Sequence, residues 1–309
     1  MITINRLGKS FGSFWAVKDL SFNVSPGEVL GFLGPNGAGK STTMKMIAGF
    51  LAPSEGRIRV FDVDVQRAPL AAKKMIGYLP EGAPLYDDMT ASEFLSFIAD
   101  IRCLFGADRR EKLGRVIDQL DLKEVLNQPI ETLSKGFKRR VGIAQAMLHD
   151  PRVLILDEPT DGLDPNQKHQ VRELIRNLSK EKIVIISTHI LEEVSAVCSR
   201  AMIIARGQLT VDDTPAGLEA RSRYHGAVTV TLQASQGGAE AAFKQIIGVD
   251  QIESAAHDPL RFTLIPKKGE KIVKEVQSFL AVKGWATSQV FVERGRLDEV
   301  FRRLTQAEV

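Results

Sequence analysis

The residues best equipped for chemistry form a single run, Gly34, Pro35, Asn36, Gly37, Ala38, Gly39, Lys40, Ser41 and Thr42, which fits the phosphate-binding pattern G-x-x-x-x-G-K-S. A cradle for a phosphate chain needs several donors within a small radius, where side chains would crowd it. Gly34, Gly37 and Gly39 let the backbone turn tightly and aim N–H groups inward, and the start of a following helix adds free amides and a positive dipole end. Lys40 then reaches the β and γ phosphates, Ser41 offers an oxygen to Mg²⁺, and Thr42 bonds the chain nearer the sugar. A second constellation lies far downstream, where the all-apolar run Val153 to Leu156 ends in Asp157 and Glu158. A hard cation wants oxygen ligands, so Asp157 at a strand tip holds Mg²⁺ opposite Ser41, directly or through water. Glu158 is the group to orient or deprotonate an attacking water.

These residues need strands and helices to hold them. Glu28 to Leu33 reads as a buried strand entering the glycine run, and Thr43 to Ile47 as the start of a helix leaving it. Ile2 to Leu7 and Leu20 to Val24 alternate as half-buried strands do, with an aromatic-rich loop, Ser10 to Trp15, between them. Strands are expected at Arg57 to Phe61 and at Met75 to Leu79, the latter stopped by Pro80 and Pro84. Thr90 and Glu93 form a capping box ahead of Phe94, Leu95, Phe97, Ile98 and Ile101, and Leu113, Val116, Ile117 and Leu120 mark a second helix face. Strands return at Val153 to Leu156 and Ile183 to Ile186, separated by an amphipathic helix with Val171, Leu174, Ile175 and Leu178 on one face. Strand alternating with helix predicts an α/β core whose sheet is mainly parallel and covered on both sides.

Composition shifts near Asp212. The expected division is a first domain over 1–211 with a helical insert at about 82–150, a linker over 212–226, and a small α+β domain over 227–309. In that last domain the order is strand, helix, two strands, helix and strand, with a final helix carrying Leu297, Val300, Phe301 and Leu304.

The 309 residues, 44% hydrophobic and 26% charged, describe an ordinary globular chain, and a formal charge of +3 is close to balance. Of the basic spots, Lys135 to Arg140 and Pro266 to Lys274, the second reads as a solvated helix face, so no nucleic acid is expected as a partner. Two cysteines far apart, Cys103 and Cys198, suggest a reducing compartment and buried thiols rather than a disulfide or metal framework. No apolar run approaches the roughly 18 to 20 residues that span a bilayer. A cytoplasmic chain is expected, with any membrane role acting through a partner.

Between the two nucleotide motifs sits Leu133, Ser134, Lys135, Gly136, Phe137, and after Asp157, Glu158 and Pro159 come Asp161, Gly162, Leu163, Asp164 and then Ser187, Thr188, His189. In this order the set resembles the ATP-binding cassette proteins, whose signature is LSGGQ, over about the first 210 residues. The resemblance implies a P-loop cassette with an antiparallel β subdomain beside the parallel sheet and the helical insert. It implies that Phe11, with Trp15 the other candidate, stacks on adenine. Ser134 and Gly136 would cap the γ phosphate of ATP held by a second copy of the chain, Asp164 would cross the same interface, and His189 would contact the γ phosphate and the attacking water. Three positions depart from the family. Glu81 stands where glutamine is usual, able to ligate Mg²⁺ but adding negative charge beside phosphates, and Lys135 and Phe137 replace glycine and glutamine of the signature.

By resemblance, then, the chain is expected to be the ATPase subunit of a transporter whose permease is separate, similar to exporter ATPases of the drug-resistance and gliding-motility kind. It would be a homodimer enclosing two ATP with Mg²⁺, peripheral on the cytoplasmic membrane face, with Pro84, Leu85 and Tyr86 as the candidate permease contact. A soluble cassette ATPase acting on nucleic acid or the ribosome is the alternative; such relatives usually carry two cassettes, long coiled coils or cysteine metal sites. A small-molecule phosphotransferase would leave the signature and the Asp164 loop unexplained.

Overall fold

The computed structural model describes residues 1–82, 84–255 and 257–306, so residue 83 of the expected insert and 307–309 of the expected C-terminal domain lie outside it. Its contacts divide the chain into two units, Met1–Thr214 and Pro215–Val309. The first begins with β1 (Ile2–Phe11) and β2 (Phe14–Val24), followed by β3 (Val29–Leu33), α1 (Lys40–Ile47), β4 (Glu55–Val60) and the short β5 (Val63–Asp64). Next come α2 (Pro69–Met75), β6 (Ile76–Leu79), α3 (Ala91–Ile101), α4 (Gly106–Gln119) and α5 (Lys135–Met147). The unit ends with β7 (Val153–Asp157), α6 (Pro165–Ser179), β8 (Ile183–Ser187), α7 (Leu191–Val197), β9 (Arg200–Ala205) and β10 (Gln208–Asp213).

Two sheets result. The antiparallel one has the order β2-β1-β4-β5, and the larger one β10-β9-β3-β8-β7-β6, parallel except for β10 at its edge. β3, β7 and β8 are buried along their whole length, which is why their sequences are continuous apolar runs rather than alternating ones. A single core joins the sheets: Phe22 of β2 meets Phe32 of β3 edge-on at 5.4 Å, among Met44, Met46, Ile58, Ile155 and Ile185. The α/β cassette with its antiparallel β subdomain and helical insert is thus realised.

The stretch Ser10 to Trp15, expected as a loop, is instead a hairpin: Ser10 pairs with Trp15 and Phe11 with Phe14 across a two-residue link. Gly12 at φ 61° lets that link close. Cys103, expected buried, is exposed, because it follows α3 in a turn with φ 54°; Cys198 is buried. The segment 212–226, expected as a linker, carries the end of β10 and then α8 (Pro215–Ala220). Asp212 and Asp213 pair with Met202 and Ala201, so the sheet extends past the polar run at which composition changes.

In the second unit α8 is followed by β11 (Val228–Leu232), α9 (Ala239–Phe243), β12 (Val249–Ala255), β13 (Asp258–Pro266), α10 (Val273–Lys283), β14 (Thr287–Val292) and α11 (Leu297–Gln306). The sheet order is β12-β13-β11-β14, antiparallel throughout. Alternate residues Val228, Val230 and Leu232 of β11 face a core of their own with Phe243, Val276 and Leu280. This is the small α+β domain expected from the order of elements.

Candidate functional site

The site lies at the carboxyl ends of the parallel strands, where β3, β8 and β7 stand side by side. Register places Phe32 beside Ser187 and Ser187 beside Asp157, so the loops leaving all three strands start from one row. The loop after β3 carries the glycine run. A Cβ on Gly34 would run into the Ile204 carbonyl, and Gly39 at φ 103° passes so close to the β2 backbone that a Cβ would sit 2.5 Å from the Ala16 oxygen. Gly39 also begins α1, with its carbonyl accepting from Thr43 at N–H (2.9 Å) and hydroxyl (2.8 Å).

Lys40 is 6% exposed, and its Nζ donates to the carbonyls of Gly34 (2.7 Å) and Pro35 (3.2 Å), curling back over the loop. Burial holds this amine below the ordinary lysine range, while the charges of Glu158, Asp157 and Glu81 pull it back up. Three carboxylates from two other loops therefore share the field of one lysine. Glu81, in the exposed turn after β6, is among them.

Asp157 is 1% exposed. Its Oδ1 accepts from the Ser187 hydroxyl, and its Oδ2 has no hydrogen-bond partner. A buried carboxylate oxygen left unpaired costs on the order of 1–3 kcal/mol or more, so it marks a place where another group belongs. A Mg²⁺ ion held by Asp157, with the Ser41 hydroxyl and Glu81 near the same loop, fits this oxygen-only donor set. Among the described residues no cluster of three His, Cys, Asp or Glu forms a metal site by itself.

Glu158 sits at φ 53°, a left-handed conformation that a glutamate adopts only when its surroundings enforce it. Its N–H donates to the Ser187 carbonyl (3.2 Å) and lies 3.1 Å from the Ser187 hydroxyl, which turns the side chain away from the strand line. Glu158 Oε1 lies 3.0 Å from Nδ1 of His189, the second residue past β8. A carboxylate accepts, so the ring donates from Nδ1. The carboxylates of Asp157 and Glu158, the imidazole of His189 and the amine of Lys40 thus come from three chain segments at one end of one sheet.

Ser134, Gly136 and Asp164 gather elsewhere. Ser134 caps α5 by accepting the Phe137 N–H at 3.2 Å, and Asp164 caps α6 by accepting the Gln167 N–H at 2.9 Å. The two helix starts are packed together: a Cβ on Gly136 would strike Gln167, and one on Gly162 would touch Lys135. No hydrogen bond or ion pair among the described residues joins this pair of helix N-termini to Lys40 or His189. Phe11 is 52% exposed at the hairpin end with the Lys9 amine 5.2 Å above its ring; Trp15 lies against Gly8 of β1.

Several residues here were given no role by the sequence. Ser187, read only for its place before His189, is one. Arg139 of α5, 6% exposed, donates to the carbonyls of Asp157 and Glu158 and, at 3.4 Å, to that of Pro80. Tyr78 is buried at the end of β6, its phenol pushed up by burial and then by Asp157 and Glu81. Thr160, Thr188 and Glu193 form a buried polar cluster behind the Glu158–His189 pair. For Ser187 and Thr188 the available signals were their place before His189 in the resemblance and polar residues closing an apolar strand.

The sequence pattern of the family described as ABC transporter matches residues 17–161. The ABC transporter ATP-binding protein YxlF of Bacillus subtilis is 39% identical over 210 residues, 68% of this chain and 70% of that protein. The linearmycin resistance ATP-binding protein LnrL of the same organism is 30% identical over 307 residues, 99% of this chain and 98% of its own length. Among solved structures, the ATP binding subunit of an ABC transporter is 30% identical with a TM-score of 0.66, covering 71% of this chain and 92% of that one.

Proposed function

This chain belongs to the ABC transporter family of ATP-binding proteins, and from that footing we propose that it is an ATPase that works as a pair of chains around two ATP and drives a separate membrane permease, in an export system. The observation that carries the reading is the convergence of Lys40, the unpaired Asp157 oxygen and the Glu158–His189 pair on one row of strand ends.

ATP lies along Gly34 to Thr42, with Lys40 on its β and γ phosphates and Phe11 beside the adenine. Ser41, Asp157 and Glu81 would hold Mg²⁺, which when bound would offset the charge of the phosphates. Glu158 takes a proton from water as the water oxygen bonds the γ phosphorus; the bond from that phosphorus to the β–γ bridging oxygen breaks, leaving ADP and phosphate. His189, held through Nδ1, keeps Nε2 for the attacking water at the γ phosphate.

One chain surrounds only part of such a ligand. The joined N-termini of α5 and α6 are two positive dipole ends with an exposed Ser134, a surface suited to a highly charged phosphate held by a second copy. That supports the roles of Ser134, Gly136 and Asp164 across a two-chain interface. The helical insert supports a permease contact: Tyr86 is 52% exposed, its ring stacks edge-on against Phe97 at 5.7 Å, and Ile101 and Phe105 are exposed nearby in sequence. Among the described residues no helix is long and apolar enough to cross a membrane, so the chain would sit on the cytoplasmic face through that partner. The linearmycin resistance relative is named for resistance to a drug, which export of that drug would supply, and this supports the export direction.

Glu158→Gln tests the chemistry. It should keep ATP affinity while hydrolysis falls about 100-fold or more, the loss of a general base, and it should stabilise the ATP-bound pair. Normal turnover would remove Glu158 as the base. Purification from membranes tests the partner: an integral membrane protein should copurify, and tight association with ribosomes or DNA instead would overturn the transport reading.

A further inference from the structure

Behind the Glu158–His189 pair lies a carboxylate that neither touches nucleotide in the reading above nor serves a hydrophobic core. Glu193 of α7 is 2% exposed. Its Oε2 accepts from the Thr188 hydroxyl at 2.8 Å and its Oε1 from the Thr160 hydroxyl, with Arg172 of α6 4.0 Å away. Thr188 in turn accepts the Ile190 N–H at 3.0 Å, which brackets His189 between two fixed neighbours. Thr160 is two residues past Glu158, and Thr188 is the residue before His189.

These bonds close a ring. From Glu158 the chain runs through Pro159 to Thr160, across Glu193 to Thr188, on to His189, and back to Glu158 through the 3.0 Å contact. Thr160 and Thr188 are each 2% exposed, so water does not compete for either hydroxyl. Burying a carboxylate opposite two neutral hydroxyls, with one guanidinium at the 4.0 Å limit of an ion pair, is a poor way to stabilise a fold, since an apolar side chain of similar size would avoid the desolvation cost. It is a good way to hold two loops at one separation, because both oxygens of a rigid carboxylate are spoken for.

We infer that Glu193 is a positioning residue for ATP hydrolysis: it ties the loop of Glu158 to the loop of His189 and sets their separation. The inference rests on the roles given to Glu158 and His189 above. Lys40 and the glycine run take no part in the ring, so nucleotide affinity does not depend on it.

Steady-state ATPase measurements on the full chain test this with Glu193→Gln, Thr188→Val and Thr188→Ser. Glu193→Gln and Thr188→Val should lower kcat about tenfold or more with KM for ATP within about twofold, the signature of a misplaced catalytic group rather than lost binding. Thr188→Ser, which keeps the hydroxyl, should restore most of the rate. In a Glu158→Gln background, adding Glu193→Gln should slow residual hydrolysis no further. Wild-type kcat in Glu193→Gln, a parallel rise in KM, or a further tenfold loss in the Glu158→Gln background would overturn the positioning role. Normal turnover of Glu158→Gln alone would remove the base and the positioning role together; an inactive Glu158→Gln beside a fully active Glu193→Gln removes the positioning role only. Should Glu193→Gln fail to fold, Thr188→Val against Thr188→Ser decides.

Discussion

Ser187 does more at this site than its residue type suggests. Its hydroxyl donates to Asp157 Oδ1 and its backbone and side-chain oxygens receive the Glu158 N–H, so a single residue orients the carboxylate proposed for Mg²⁺ and pins the left-handed backbone of the proposed base. Ser187→Ala would leave Asp157 unpaired at both oxygens. The Mg²⁺ concentration for half-maximal hydrolysis should rise about tenfold, the usual effect of losing a partner that orients a metal ligand, and ATPase titrations against Mg²⁺ would show it. An unchanged titration would mean that Asp157 is held by other means. Lys40, Asp157 and Glu158 were legible beforehand because each sits at a readable place, the exit of an apolar strand. Thr160, Glu193 and Arg139 were not, and Ser187 was read only for its place before His189, because such residues acquire their meaning only when β7 and β8 pair in register and α5 and α7 pack over them.

At the scale of elements, the junction of α5 with β6 carries a pH dependence. His149 follows α5, and its Nε2 lies 3.1 Å from the Ile76 carbonyl at the start of β6. Burial first, then the charge of Arg102, lowers its pKa from 6.5 to about 4. The folded chain thus keeps the ring neutral where an unfolded chain would take up a proton, so stability declines as pH falls from 6.5 toward 4. Between pH 7 and 4.5 the loss from this group should be about 2 kcal/mol. Urea unfolding of the wild type and of His149→Gln, which can still donate to Ile76, should differ by that much in their pH dependence; parallel curves would exclude the group. Local elements differed in how well they could be read. The capping box at the start of α3 is formed in both directions, Thr90 N–H to Glu93 at 2.8 Å and Glu93 N–H to Thr90 at 3.2 Å, since it depends on residues three apart. The tip of the β1–β2 hairpin was hidden, because β1 shifts register between Leu7 and Lys9 and again between Lys9 and Ser10, past the stretch that alternates as a strand does.

At the scale of the molecule, two cores in two units make a clean cut testable. A cut after Arg206 would remove β10, which pairs with β9 from Gln208 to Asp213, so the boundary for truncation belongs at Thr214. The chain ending at Thr214 should fold and bind ATP with an affinity within about threefold of the full chain, because every residue assigned to the phosphates and Mg²⁺ lies in the first unit and its core is its own. An unfolded or non-binding product, by circular dichroism and nucleotide titration, would show that the units depend on each other. The sequence by itself determined the α/β class, the phosphate loop, the acidic strand end and the family, because these reside in short contiguous patterns whose physics is local: apolar runs, tight glycine turns, helix caps. Only the tertiary structure decided which residues meet. The unpaired Asp157 oxygen, the Glu158–His189 contact and the ring through Glu193 join positions some thirty residues apart, and such contacts exist only after strands have chosen their neighbours and their register.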